Sequence, residues 1–164
     1  MSNMMNDRQA LPARSQRAAG AVLKIDALDL LIQQGEIRTL ESVSDVDSVD
    51  PDKNSVGWIS FAQQRWPVYC LSSQLDLQIS VPAPRRTCAL LALEQGYLGV
   101  LCDDVTILKQ VSGQLHELPV VMRRSDTPIH GVIAYNQGIA CVTDANGLAA
   151  YIERRRQNSS REEN

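Results

Sequence analysis

Cys70, Cys88, Cys102, Cys141, His116 and His130 are the side chains of this sequence with the widest chemical repertoire. A metal centre or a thiol redox site draws its ligands from closely spaced pairs such as Cys-x-x-Cys. Here successive cysteines lie 18, 14 and 39 positions apart, and neither histidine is paired with one at a telling spacing. Catalysis needs a nucleophile with its base, or convergent titratable groups, and no such motif is written in the chain. The cysteines are therefore expected to be reduced, mostly buried small hydrophobes, and no enzyme activity, cofactor or metal is expected.

What remains is the chemistry of recognition. Trp58 and Trp66 flank a polar tip, Ala62-Gln63-Gln64, between two apolar stretches. Large aromatics dominate both cores and interfaces, so Trp66, placed before Pro67 in an apolar strand, is expected in the core. Trp58 fits either setting. Gln33, Gln34, Glu36 and Arg38 follow another apolar stretch and could line an exposed edge strand. The candidate partner-binding residues are thus Trp58, Ala62, Gln63 and Gln64 with Gln33, Gln34, Glu36 and Arg38.

A chain of 164 residues has room for one domain or two very small lobes. Its formal charge of -3 offers no basic field to pull it onto nucleic acid or anionic lipid. Aromatics are only 4%, and the Arg85-Arg86, Arg123-Arg124 and Arg154-Arg155-Arg156 clusters are short and scattered, which argues against a nucleic-acid partner. A small β-barrel nucleic-acid binder or a general protein-interaction module is the alternative reading. No run of about 18 apolar residues and no signal-type apolar region occurs, so a cytoplasmic protein without membrane insertion is expected.

Residues 1–20 and 156–164 lack an apolar period and are expected to be disordered, leaving an ordered body over 21–155. Ser42 to Asn54 reads as an acidic loop, and the prolines of Val81 to Arg86 favour an extended connection, expected to be the crossover between lobes. Thr87 to Leu93 and Tyr97 to Cys102 read as a β-hairpin turning at Gly96, with Val105 to Leu108 as the next strand. Leu148, Tyr151 and Ile152 fall at helical spacing behind Asp144, a candidate N-cap, which predicts a short closing helix.

An internal repeat carries the most information. Gly57-Trp58-Ile59-Ser60-Phe61-Ala62-Gln63-Gln64-Arg65-Trp66-Pro67-Val68 lies over Gly131-Val132-Ile133-Ala134-Tyr135-Asn136-Gln137-Gly138-Ile139-Ala140-Cys141-Val142 at a constant offset of 74 residues. Each copy reads as strand, polar turn, strand, so two related β lobes are expected, each with one such hairpin.

These residues resemble the CheW-like family of chemotaxis adaptors. Gly57 to Leu71 is similar to that family's G-x-I-N-L-R-G-x-x-x-P-V-x-D-L segment, with Gly57, Ile59, Pro67, Val68 and Leu71 in register. Cys102-Asp103-Asp104-Val105 resembles its V-D-x-V stretch, and Val142-Thr143-Asp144 with Leu148 its L-D-x-x-x-L ending. The resemblance spans about Ala21 to Ile152. It implies a mainly β fold of two small SH3-like five-stranded barrel lobes with a short C-terminal helix. It also implies a non-enzymatic adaptor whose partners are the regulatory domain of a CheA-type histidine kinase and a chemoreceptor or another CheW-like protein. The family's Asn-Leu-Arg-Gly turn, which contributes to receptor contact, is here Ser60-Phe61-Ala62-Gln63, so its arginine is absent. No good counterpart of the usual first strand precedes Ala21, which leaves the first lobe short by one strand unless a homodimer partner supplies it. A divergent member is implied, of the kind that serves a pilus-type or surface-motility array.

Overall fold

The computed structural model describes residues 19–162 apart from Gln137, with only the backbone of Met122. The expectations for residues 1–18, for Gln137 and for residues 163–164 lie outside the described residues. Among the described residues eleven strands form two curled sheets: β1 Gly20–Ile25, β2 Leu28–Gln33, β3 Ile37–Ser42, β4 Gly57–Phe61, β5 Gln64–Leu71, β6 Leu77–Gln78, β7 Thr87–Leu93, β8 Gly96–Cys102, β9 Asp104–Leu108, β10 Gly131–Tyr135 and β11 Gly138–Val142. A helix, α1 Ala145–Glu162, follows the last strand.

The first sheet has the order β10-β11-β2-β1-β9 and the second β3-β7-β8-β5-β4, with β6 paired to β5. The chain thus leaves the first sheet after β2 and returns at Asp103, between β8 and β9. Val81 to Arg86 is therefore no crossover: it joins β6 to β7 inside the second sheet. Its prolines do make an irregular connection, but one that closes a turn, with the Arg85 N–H donating to the Pro82 carbonyl at 3.1 Å. The first lobe is also not short of a strand. β1 pairs β2 through six residues and β9 through five, so no second copy is needed to complete the sheet.

Apolar side chains on both faces of β1, β7 and β8 follow from there being three interiors. Ala89 and Leu91 of β7, with Ala21, Leu23 and Ile25 of β1, enter a core between the two sheets. Cys88 and Leu90 point the other way, into the second lobe, and Val22 into the first. Full burial of each such leucine contributes about 1.5 to 3 kcal/mol, so strands read as unbroken apolar runs rather than alternating ones.

The repeat is a structural one. Gly57 pairs with Val68 as Gly131 pairs with Val142, and every pair between them matches down to Phe61 with Gln64 and Tyr135 with Gly138. Each hairpin's second strand then joins a parallel neighbour, Val68 beside Gly99 and Val142 beside Leu31. Each first strand also exchanges one pair of backbone bonds with the incoming connection, Asp47 with Trp58 and His116 with Val132, all at 2.8 Å. A Cβ on Gly57 would strike the Asp47 carbonyl, and one on Gly131 would lie 2.6 Å from that of His116. Both glycines are therefore dictated by the close approach of that connection.

α1 buries Ala145, Leu148, Tyr151 and Ile152, and Asp144 caps it by accepting from the Gly147 N–H at 2.6 Å. It does not end near Arg155: residues 156–162, expected to be part of a disordered tail, continue the helix. Apolar periodicity stops after Ile152, but Arg156 pairs with Glu153 at 2.7 Å and Asp52 at 3.3 Å, and Arg155 with Asp126 at 3.6 Å. Polar contacts to two loops extend the helix where the hydrophobic pattern gives no sign of it.

Arg85 holds the lobes in register. Its guanidinium is 0% exposed and donates to Asp26 at 2.8 and 3.1 Å, to Asp103 at 2.6 Å and to the Leu71 carbonyl at 2.9 Å. Asp26 turns β1 into β2, Asp103 carries the crossing strand, and Leu71 ends β5, so one fork joins both sheets. The hydrogen bond from Arg85 outweighs partial desolvation and lowers the Asp26 carboxyl below its ordinary 3.8.

Arg85→Met leaves two facing carboxylates unneutralised and is expected to lower unfolding free energy by about 3 kcal/mol in denaturant titration, partly recovered by adding Asp26→Asn. A lowered folded value means that Asp26 contributes its stabilisation in full above 3.8 and loses it as pH falls through the folded value. Asp26→Asn should accordingly melt below the parent at neutral pH, with the gap closing on acidification; a constant gap contradicts the pairing. At the β4–β5 turn, Ala62 and Gln63 hold φ of 52° and 65°, the conformation of a two-residue turn that prefers Asn-Gly. Gln63→Gly should therefore raise stability by about 1 kcal/mol.

Candidate functional site

The β4–β5 hairpin sends alternate residues to two faces. Ile59 and Val68 enter the second lobe with Phe61 and Trp66 packed beside them. Trp66 is half-buried rather than fully enclosed: its indole N–H donates to the Phe61 carbonyl at 3.0 Å and its ring meets Tyr97 edge-on at 5.2 Å. Phe61 meets Tyr97 in the same manner at 5.0 Å. This aromatic cluster fills the end of the lobe beneath the turn.

Trp58 lies on the opposite face, half-buried. Its indole N–H donates to the Asp50 carbonyl at 2.8 Å, which ties the acidic loop to the hairpin. Arg65, one diagonal step across the ladder, lays its guanidinium 4.8 Å from the ring centroid. Ala62, Gln63 and Gln64 form the exposed tip, as expected.

The second expected group divides. Arg38, on edge strand β3, places its guanidinium 5.4 Å from the Phe61 ring and so joins the hairpin. Gln33, Gln34 and Glu36 turn instead toward the end of the first lobe. The Gln34 N–H donates to the Ala19 carbonyl at 3.0 Å, and Glu36 accepts from the Gln33 N–H at 3.0 Å and the Ala145 N–H at 2.9 Å. Glu36 therefore anchors the start of α1, a role its exposed-edge sequence context does not reveal.

Arg65 and Phe61 belong to the hairpin surface but were not singled out in the sequence. The signal for Arg65 is register: once Ser60 faces Arg65, the diagonal to Trp58 follows. Two guanidiniums, each resting on an aromatic ring and each exposed, thus flank the tip. Arginine held flat on a ring keeps its N–H edges available to an acceptor on another molecule.

The cysteines are buried or half-buried, and His130 is paired. Burial pushes the Cys88 thiol up to about 12, and those of Cys70, Cys102 and Cys141 upward as well, which removes the thiolate that reactivity needs. His130 bonds Asp144, whose carboxylate is already engaged as a helix cap. Among the described residues no group of three or more His, Cys, Asp or Glu side chains could hold a metal ion, and no helix is long and apolar enough to cross a membrane.

No family model and no curated protein matches the sequence. Among solved structures the chain is similar to the crystal structure of the scaffolding protein TtCheW from Thermoanaerobacter tengcongensis, at 12% identity, with a TM-score of 0.64 over 80% of this chain and 92% of that one. The two-lobed β architecture with its closing helix is a divergent form of the CheW-like fold.

Proposed function

We propose that the chain is a non-enzymatic adaptor that couples a receptor to the regulatory domain of a CheA-type histidine kinase in a chemosensory array. The observation that carries this reading is the pairing of a CheW-like fold with an exposed hairpin surface built from Trp58, Arg65 and Arg38 around the tip Ala62 to Gln64. Such a surface has the ingredients of a protein interface: a few aromatic and arginine anchors on a rigid ladder with a polar rim. A pilus-type or surface-motility array is the setting that the altered turn suits.

Nucleic-acid binding is the weaker reading. Arg85, Arg155 and Arg156, which a phosphate backbone would need free, are paired with carboxylates within the chain. The family's turn arginine has Ala62 in its place, so receptor contact has to draw on Arg38 or Arg65 instead. Neutral alanine offers no forked donor.

Titration calorimetry of the whole chain against the kinase regulatory domain and against a receptor tip tests this. The expected result is saturable heat with the regulatory domain, weakened about tenfold by Trp58→Ala, and weak receptor binding that Ala62→Arg strengthens by about tenfold. Absence of heat with both partners, with Ala62→Arg inert, would falsify the adaptor reading. Binding to the receptor tip that survives Arg38→Ala together with Arg65→Ala would remove the two guanidiniums from the site.

A further inference from the structure

The two lobes are built alike, yet they are not filled alike. Val56 and Cys70 of the second lobe correspond, at the offset of the repeat, to His130 and Asp144 of the first. The ladders extend the correspondence. Leu90, Gly99 and Val68 pair in series in one lobe, and Val22, Leu31 and Val142 in the other. Two residues along each strand, Cys88 therefore answers to Gly20 and Leu101 to Gln33. Cys70, Cys88 and Leu101 are 0% exposed and close the end of the second lobe with aliphatic and thiol side chains.

At the same end of the first lobe a cavity of about 340 Å³ opens instead. Its walls are apolar, formed by Leu31, Val111, Leu115, Ile133 and Val142. Its mouth carries His130, Gln33, Glu36 and Asp144, and no lysine or arginine among the described residues lines it. The mouth is wide: the His130 side chain is 52% exposed and Leu115 45%. Glu36 accepts only backbone N–H groups among the described residues, so its charge is not neutralised by a cation there. What this end lacks, by comparison with its twin, is a leucine-sized aliphatic group, and its rim carries no lysine or arginine among the described residues.

We propose that this cavity receives an aliphatic side chain of leucine or isoleucine size, presented by a partner polypeptide beside a lysine or arginine that meets Glu36. The site is separate from the hairpin surface of the adaptor reading and stands or falls without it. Insertion buries apolar area on both sides, and the flanking cation selects among aliphatic partners by charge. The wide mouth suits an anchor carried on a larger molecule.

The test is a methyl and amide NMR titration of the full chain with the probe peptide acetyl-Lys-Leu-Lys-amide, with Glu-flanked and Ala-centred versions as controls. The expected result is a saturable shift confined to Leu31, Ile133 and Val142, with at least tenfold weaker binding of both controls. Gln33→Leu, which restores the aliphatic group found in the second lobe, should weaken the probe at least tenfold without lowering the melting temperature. Should that variant fold poorly, His130→Val fills the same mouth and carries the same expectation. Equal binding of the Glu-flanked peptide, shifts spread over the surface, or indifference to both filling variants overturns the proposal. So do cavity shifts that depend on the chain's own concentration, which would make a second copy the occupant. Nuclear Overhauser contacts from the cavity methyls to residues preceding Ala19, seen without peptide, would likewise overturn it in favour of the chain itself.

Discussion

A guanidinium that is always charged and fully out of water is costly unless its donors are met, and both terminal nitrogens of Arg85 find acceptors in three separate turns, while its buried Nε–H has none among the described residues. That requirement constrains the arrangement of the whole molecule. The apolar core between the sheets is favourable but non-directional, so by itself it would permit the two lobes to slide on one another. Asp26 belongs to one sheet, Leu71 to the other, and Asp103 to the segment that crosses between them. Satisfying the fork at distances of 2.6 to 3.1 Å fixes their relative position. The Asp26 N–H also donates to Asp103 at 2.9 Å, which explains why Asp26 is held at a φ of 54° that an ordinary side chain avoids.

Once the lobes are locked, the pseudo-repeat gains meaning. Both hairpins end where an incoming connection makes one pair of backbone bonds against an outer strand, and both begin with a glycine because that connection passes too close for a Cβ. The connection shields an edge that would otherwise offer unpaired N–H and C=O groups to another chain. Val46 and Leu115 sit in the same place, each within 2.9 Å of the Cβ those glycines lack, so the plugs correspond as well as the hairpins.

Legibility from the amino-acid sequence follows the range of the forces. The hairpins, the closing helix and its cap at Asp144, and the burial of Cys70, Cys88 and Cys102 rest on local pattern or on residue type, and each could be read directly. Arg85 could not. An arginine pair after two prolines looks solvated, and the acceptors of Arg85 lie 59, 18 and 14 positions away. The same lack of local signal turned the segment at Val81 to Arg86 into an apparent crossover, hid the extension of α1 beyond Arg155, and concealed the grip of Glu36 on the start of that helix. At the hairpin surface Trp58 and the tip were legible because aromatic and turn residues announce themselves. Arg65 needed the register, and Arg38 needed the fold, since only the curl of the second sheet brings β3 over Phe61.

The differences between the two copies of the hairpin separate what the fold requires from what it leaves open. Positions that face an interior keep their apolar character: Ile59 matches Ile133 and Val68 matches Val142. On the opposite face the pairs diverge, with Trp58 against Val132 and Arg65 against Ile139, the latter 66% exposed. Neither lobe needs Arg65 to fold, because its contact is a ring already held by the Asp50 carbonyl. A guanidinium over tryptophan at a place where the sister lobe manages with an exposed isoleucine is thus surplus to packing. Burial does not account for it, and a charged donor beside a fixed aromatic ring is what the proposed outward contact would use.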